Sequence, residues 1–187
     1  DGGNAVTDVT FDAGMVTRLG RVDEGNTVTA FDEEEIARKH TLSASIAYAE
    51  WNRTKINLID TPGFANFFSD ARAALRVVDG VLLAVDAVSG PEVQTEKMWE
   101  EAEAQQLPQI VVLTRTDRER ASLDRTLEAL RTSFGRMIIP IQLPIGEEKH
   151  FAGVVDLVAM KAYTFASDGS GKMTEGAVPA EMADKVN

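Results

Sequence analysis

The sequence predicts an α/β fold, a mostly parallel sheet flanked by helices, and three observations carry that prediction. Short apolar runs alternate with helical patterns along the chain, the order that successive βα units impose. The runs 81–86, 110–114 and 137–143 are continuous and rich in β-branched residues, as strands covered on both faces are. Residues 55–63 read Lys-Ile-Asn-Leu-Ile-Asp-Thr-Pro-Gly, an apolar strand closing on a carboxylate and a tight turn. Ligands of open α/β sheets bind beyond such carboxyl ends.

The elements follow in order. The acidic run 32–35 suits a solvated face or a helix start, where negative charge meets the helix dipole, better than a metal site. Residues 45–51 and 55–60 flank Asn52-Arg53-Thr54, which reads as a hairpin joining an antiparallel edge strand to a central one. Pro91 and Glu92 suit the first turn of a helix that sets Val93, Met98, Trp99 and Ala102 on one face and ends at Leu107-Pro108. Ser122 or Asp124 caps a second helix carrying Leu123, Leu127 and Leu130. Residues 166–179 turn to Ser, Gly, Asp and Lys, the composition of a flexible loop, and the chain then stops inside a new helix at Asn187. Both ends read as cuts rather than natural boundaries, and no internal repeat is present.

Composition bounds the function. With 187 residues, 44% hydrophobic and 26% charged, the chain suffices for one ordinary domain with a real core. Thirty acidic residues against 19 basic give a net charge of −11. Such a surface repels phosphate backbones, so no general nucleic-acid-binding face is expected, although a ribonucleoprotein could be reached through other domains. Cysteine is absent, which removes disulfides and thiolate metal sites. No apolar run approaches the roughly 18 residues of a membrane span, and no signal peptide is visible. A soluble, cytoplasmic protein is expected. His40 and His150 stand alone, as surface or switch-loop histidines do, and do not suggest zinc.

Chemistry concentrates at three places. A carboxylate placed as Asp60 is can hold Mg²⁺ through water, a hard oxygen ligand for a hard cation. Pro62 stiffens the turn after Thr61, and Gly63 lets its N–H approach a γ-phosphate with no Cβ in the way. An ordinary strand-ending turn is the plainer reading of the same four residues. About fifty positions on, a second apolar strand ends in Thr114-Arg115-Thr116-Asp117. A carboxylate there can accept from the N1–H and N2–H edge of guanine, which adenine lacks. Upstream, the Thr41 hydroxyl could complete the Mg²⁺ shell and tie a mobile loop to the γ-phosphate. Yet no Gly-x-x-x-x-Gly-Lys-Ser/Thr loop occurs anywhere in the 187 residues.

Taken together these motifs resemble the GTP-binding domain of translational GTPases, elongation factor G and its relatives. Residues 17–25, Thr-Arg-Leu-Gly-Arg-Val-Asp-Glu-Gly, resemble the entry to that family's first switch, and 38–43 fall where the family has Arg-Gly-Ile-Thr-Ile, placing Thr41 on the Mg²⁺-binding threonine. Asp60-Thr61-Pro62-Gly63 matches the second switch, and the segments 73–79 and 85–92, with Gln94 and Thr95, continue its pattern. Residues 140–156 resemble the entry to the insert subdomain of this factor. The likeness runs from about Gly14 to the end. It implies a P-loop-NTPase-like fold with a partial GTP-binding domain over 1–144: switch I at about 17–43, switch II at about 60–70 and the guanine loop at 114–117. A truncated start of the insert would then occupy 145–187. It also implies GTP or GDP with Mg²⁺ as cofactors and the ribosome as partner, with no membrane.

The departures set the expected activity. Residues 1–11 should hold the first strand and phosphate loop, but they carry no lysine, so weak or absent nucleotide binding is expected of this chain. Its loss would also open the sheet and lower stability or promote self-association. Thr114 is shorter than the family's asparagine and offers no amide, and the Arg115 fork is bulkier than lysine. Phe64 stands where the family has the histidine that orients the attacking water, and phenylalanine cannot hydrogen-bond a water. Packing in a hydrophobic gate or onto Phe67 and Phe68 is its expected role. Three readings remain: an incomplete piece of a GTPase acting on the ribosome, a pseudo-GTPase binding module that keeps the fold without hydrolysis, or a segment that associates with another chain carrying the phosphate loop.

Overall fold

The computed structural model of the protein describes residues 9–10, 13–15, 20, 24, 26–29, 32–166 and 172–186. Residues 1–8 and most of 16–25, where the sequence places the missing first strand and the start of the first switch, lie outside them. Two compact units result, residues 1–84 with 93–111, and 85–92 with 112–187.

In the first unit, helix α1 (Glu33–Arg38) starts at Asp32, whose carboxylate accepts from the Glu34 N–H at 2.7 Å. It ends at Lys39, whose φ of 59° lies in the left-handed region that closes helices. Strands β1 (Ser45–Trp51) and β2 (Thr54–Asp60) pair antiparallel from Trp51↔Thr54 to Ser45↔Asp60. Asn52 and Arg53 both take positive φ, 47° and 64°, the two-residue turn whose twist matches that of flanking strands. The expected hairpin is therefore present. Small residues of β1 (Ser45, Ala47, Ala49) point inward, while Ile46, Tyr48 and Trp51 lie outside. Helix α2 (Phe68–Ala74) follows the turn after β2.

Strands β3 (Val81–Asp86) and β4 (Gln109–Thr114) begin in the first unit and end in the second. Val81 N–H donates to Pro108 O and Ala87 N–H to Thr114 O, both at 2.9 Å, so the two strands ascend together. This is the parallel pair, and helix α3 (Val93–Ala104) is its crossover. Ala102 of α3 is fully buried, but Val93 is exposed and starts the helix outside the inward face, a correction to the expected stripe. Gln106 at φ 56° and the bond from Leu107 N–H to Ala102 O end α3 before Pro108. Leu83 and Val85 are buried, whereas Leu82 and Ile110 are about half exposed. The expectation of strands covered on both faces is thus corrected for β3, which among the described residues is packed on one face, while β4 is half-buried along its length except at Ile110.

In the second unit, helix α4 (Leu123–Phe134) is capped by Ser122, which accepts from Arg125 N–H at 3.4 Å, and closed by Gly135 at φ 90°. Four antiparallel strands follow as a meander, β5 (Gln142–Ile145), β6 (Gly153–Asp156), β7 (Lys161–Phe165) and β8 (Met173–Gly176). Val155, Ala162 and Met182 form its core with Leu143, Ile145 and Val178 around them, and helix α5 (Ala183–Val186) adds Val186. The strand expected over 137–143 is displaced to 142–145. Pro140 has no N–H for a ladder, and Met137 and Ile139 are exposed. Within 166–179, expected as loop, β8 forms; residues 167–171 lie outside the described residues. No helix among the described residues is long and apolar enough to cross a membrane.

Gly153 carries the meander's tightest approach. A Cβ there would fall far inside contact with the Tyr163 carbonyl oxygen and close on Thr164 Cα. Gly153→Ala is expected to cost about 3 kcal/mol, because two paired backbones must separate. Urea denaturation checks this, and an unchanged midpoint would show that the β6–β7 pair can yield.

Candidate functional site

The phosphate-side residues belong to the first unit. Asp60 ends β2 and is 4% exposed. Burial raises its pKa; bonds from the Thr29 and Thr41 side chains pull the other way without cancelling it, and the nearby Glu35 charge adds to the rise. Thr41 Oγ1 donates to Asp60 Oδ2 at 3.4 Å, so the structure brings together two residues 19 positions apart that the sequence singled out. Thr61 is half-buried and Pro62 buried, and Gly63 is exposed. Nothing lies within 4 Å of where a Gly63 Cβ would stand, and its φ is not left-handed. The glycine leaves open space toward solvent and relieves no strain.

This donor set fits Mg²⁺. A desolvated carboxylate with a hydroxyl beside it supplies hard oxygens, and Mg²⁺ needs only one or two protein ligands beside water and phosphates. No cluster of three or more His, Cys, Asp or Glu able to hold a metal occurs among the described residues. That arrangement belongs to all-protein cages rather than to a nucleotide-bound Mg²⁺.

Glu35 lies in the first turn of α1, the helix start that was one reading of the acidic run, but it is only 4% exposed. Its Oε1 accepts from Leu42 N–H at 2.7 Å and Ser43 N–H at 3.0 Å, fixing the segment that carries Thr41, while its buried Oε2 has no partner among the described residues. No pattern in the sequence signals this role, because only the reversal at Lys39 returns the chain to α1. Glu35→Ala leaves two amides unsatisfied and is expected to cost about 2–3 kcal/mol. Amide exchange at Leu42 and Ser43 should quicken in that variant, and unchanged exchange would remove the clamp.

Phe64 opens a 3₁₀ turn (Ala65–Phe67) and is 57% exposed. Rather than packing away, its ring meets that of His40, centroids 4.6 Å apart and tilted by 54°. His40 was read as a lone histidine; its partner comes from another loop.

The guanine-side residues belong to the second unit. Thr114 ends β4, and its hydroxyl donates to Val85 O at 3.4 Å. Arg115 takes φ 57° and sets its guanidinium 2.9 Å from Asp86 Oδ2. For Asp86, burial pushes the pKa up, but the Val88 N–H and the Arg115 guanidinium outweigh it and hold the carboxyl below its usual range. Asp117 is exposed, with no partner among the described residues, and so keeps its acceptor oxygens available. Sequence reasoning missed Arg125, whose Nη2 donates to the Ala87, Val88 and Arg120 carbonyls at 3.3, 2.9 and 2.5 Å. This one side chain on α4 fixes the loops that follow β3 and β4.

Comparison with known proteins bears on this arrangement. Residues 5–181 match the family described as the Elongation factor Tu GTP binding domain. The chain is 32% identical to Elongation factor G of Mycoplasma pneumoniae, covering all of this chain and 27% of that protein. It is 35% identical to Elongation factor G of Granulibacter bethesdensis, covering 95% of this chain and 26% of that protein. A crystal structure from Thermus thermophilus superposes with a TM-score of 0.89 at 33% identity, covering all of this chain and 28% of that one. The chain thus spans about a quarter of the length of these relatives.

Proposed function

Since the chain belongs to the family of Elongation factor Tu GTP binding domains, we propose that it is the guanine-nucleotide domain of an elongation factor G-like translation factor, binding GTP and GDP with Mg²⁺ and acting on the ribosome in the cytoplasm. The observation that carries this reading is the Thr41 hydroxyl 3.4 Å from the buried Asp60 carboxylate, two switch residues meeting at the end of β2. Mg²⁺, when bound, neutralises charge between the β- and γ-phosphates. Asp60 would hold it through water and Thr41 would complete its shell. Thr61, Pro62 and Gly63 would present a backbone N–H to the γ-phosphate. Asp117 would select guanine, with Thr114 and Arg115 shaping the loop. Residues 1–144 would form a partial GTP-binding domain and 145–187 the start of an insert subdomain. With no lysine-bearing phosphate loop in the sequence, the 187-residue chain by itself would hold nucleotide weakly and hydrolyse little.

Titration with fluorescent GDP and GTP, with and without Mg²⁺ and competed by ATP and XTP, tests this on the protein at its natural length and on the 187-residue chain. Saturable, guanine-selective binding tighter than roughly 0.1 mM, about −5.5 kcal/mol, in the protein at its natural length supports it. No binding up to millimolar nucleotide there would sink it. A second reading, the pseudo-GTPase module, draws on Phe64, whose ring cannot hydrogen-bond a water. Nucleotide bound on the ribosome and never turned over would favour that one.

A further inference from the structure

The ring that faces Phe64 is itself a histidine, held at one nitrogen by a backbone carbonyl. We propose that His40 orients the attacking water in GTP hydrolysis by this domain, performing from the α1–β1 loop what Phe64 cannot. The inference rests on the guanine-nucleotide reading above.

Position comes first. His40 precedes Thr41, and Phe64 follows Gly63, so the two rings flank the residues that this reading sets at the Mg²⁺ and γ-phosphate. Thr41 is already drawn to Asp60. The rings border a cleft of about 370 Å³ that Leu42 and Phe67 also line. Arg38 also lines it, with its guanidinium paired to Glu34 at 2.9 Å.

Tautomer comes next. His40 Nδ1 lies 3.0 Å from the Arg38 carbonyl oxygen. A carbonyl only accepts, so Nδ1 carries the proton of the neutral ring, and Nε2 keeps a lone pair. Nε2 has no partner among the described residues. The tilted contact with Phe64, 4.6 Å between centroids, keeps the imidazole from turning away. A half-buried ring held at one nitrogen and on one face is better ordered than a surface-loop histidine.

The step follows. Nε2 accepts a hydrogen bond from one O–H of the water and so aims an oxygen lone pair at the γ-phosphorus. The water oxygen forms the new bond to phosphorus, and the bond to the β–γ bridging oxygen breaks with its electron pair remaining on GDP. Both water protons leave on the released dihydrogen phosphate, and His40 ends as it began.

GTP turnover on ribosomes by the protein at its natural length tests this, with GTP binding measured on the same preparations. His40→Ala should lower kcat about 100-fold or more and leave KM within about threefold. His40→Gln, which retains an acceptor, should fall less. Adding Phe64→His to His40→Ala should return kcat to within about tenfold of the unaltered protein. His150→Ala, in the turn Glu148–His150, should change nothing. The assignment is overturned if His40→Ala keeps kcat within about threefold, or if its loss lies in GTP binding. It is also overturned if His40→Gln falls as far and Phe64→His restores nothing, since that pattern marks a structural role. If the unaltered protein binds GTP and never hydrolyses it, this assignment fails while guanine-nucleotide binding stands; if it binds none, both fail.

Discussion

Asp117→Ala should abolish the preference for guanine while leaving the fold untouched. In the proposed reading the carboxylate would accept from two donors of guanine, N1–H and N2–H, and adenine offers neither at that edge. A site built on such a pair rejects the wrong base by about 10⁴-fold, because the unmatched buried groups lose water without gaining a partner. In the protein at its natural length, GTP affinity should fall sharply and the GTP-over-ATP ratio should collapse toward unity. Asp117 is exposed and has no partner among the described residues, so the melting temperature should hold. Competition of a labelled guanine nucleotide by ATP reads the ratio directly. Unaltered selectivity in the alanine variant would take the guanine site away from the 114–117 loop.

Asp60→Asn should act in two opposite directions. Without nucleotide, the native carboxylate is charged in a place where burial penalises charge and where Glu35 lies near. Its folded-state pKa therefore stands above the unfolded value of about 3.9. Between those two values the folded chain binds more protons than the unfolded one, so stability falls as pH rises through that window and stays lowered above it. Asparagine removes the penalty. At neutral pH the variant should melt higher than the parent, and the advantage should vanish below about pH 3.9. With nucleotide the sign reverses, because asparagine brings no charge to Mg²⁺. Mg²⁺-dependent affinity should fall about 100-fold, an estimate at the scale of a lost charged ligand. Thermal melts across pH, with and without GTP and Mg²⁺, resolve both effects. A variant less stable than the parent at pH 7 would contradict the desolvation argument.

Local chemistry made much of this structure legible in advance. Asn52-Arg53-Thr54 between two apolar runs pointed to the β1–β2 hairpin, and Ser122 or Asp124 to the start of α4, where Ser122 proves to be the cap. The parallel β3–α3–β4 unit followed from two apolar runs with a helix between them. Asp60 and Thr41 were legible because a strand-ending carboxylate and an upstream threonine each have a chemical role. What escaped is non-local. The meander's first strand sits later than the run 137–143, since Pro140 breaks the ladder that its apolar neighbours invite. Glu35 read as a surface charge or part of a helix start, and only the turn at Lys39, which brings Leu42 and Ser43 back to it, gives it its buried partners. Arg125 is one of several charged residues on a helix and Asp86 ends an apolar strand, and only the meeting of separate loops gives them partners. His40 and Phe64 belong to different loops, and no periodicity links them.

Arg125 has a consequence for the heat of nucleotide binding. Three carbonyls from two loops converge on one guanidinium nitrogen, so the loops after β3 and β4, which would wall the proposed guanine side, are set when the chain folds. An arriving base finds them already ordered and loses little conformational freedom there. Calorimetry should then show a smaller entropic penalty in the parent than in Arg125→Ala, in which those loops must be ordered anew at each encounter.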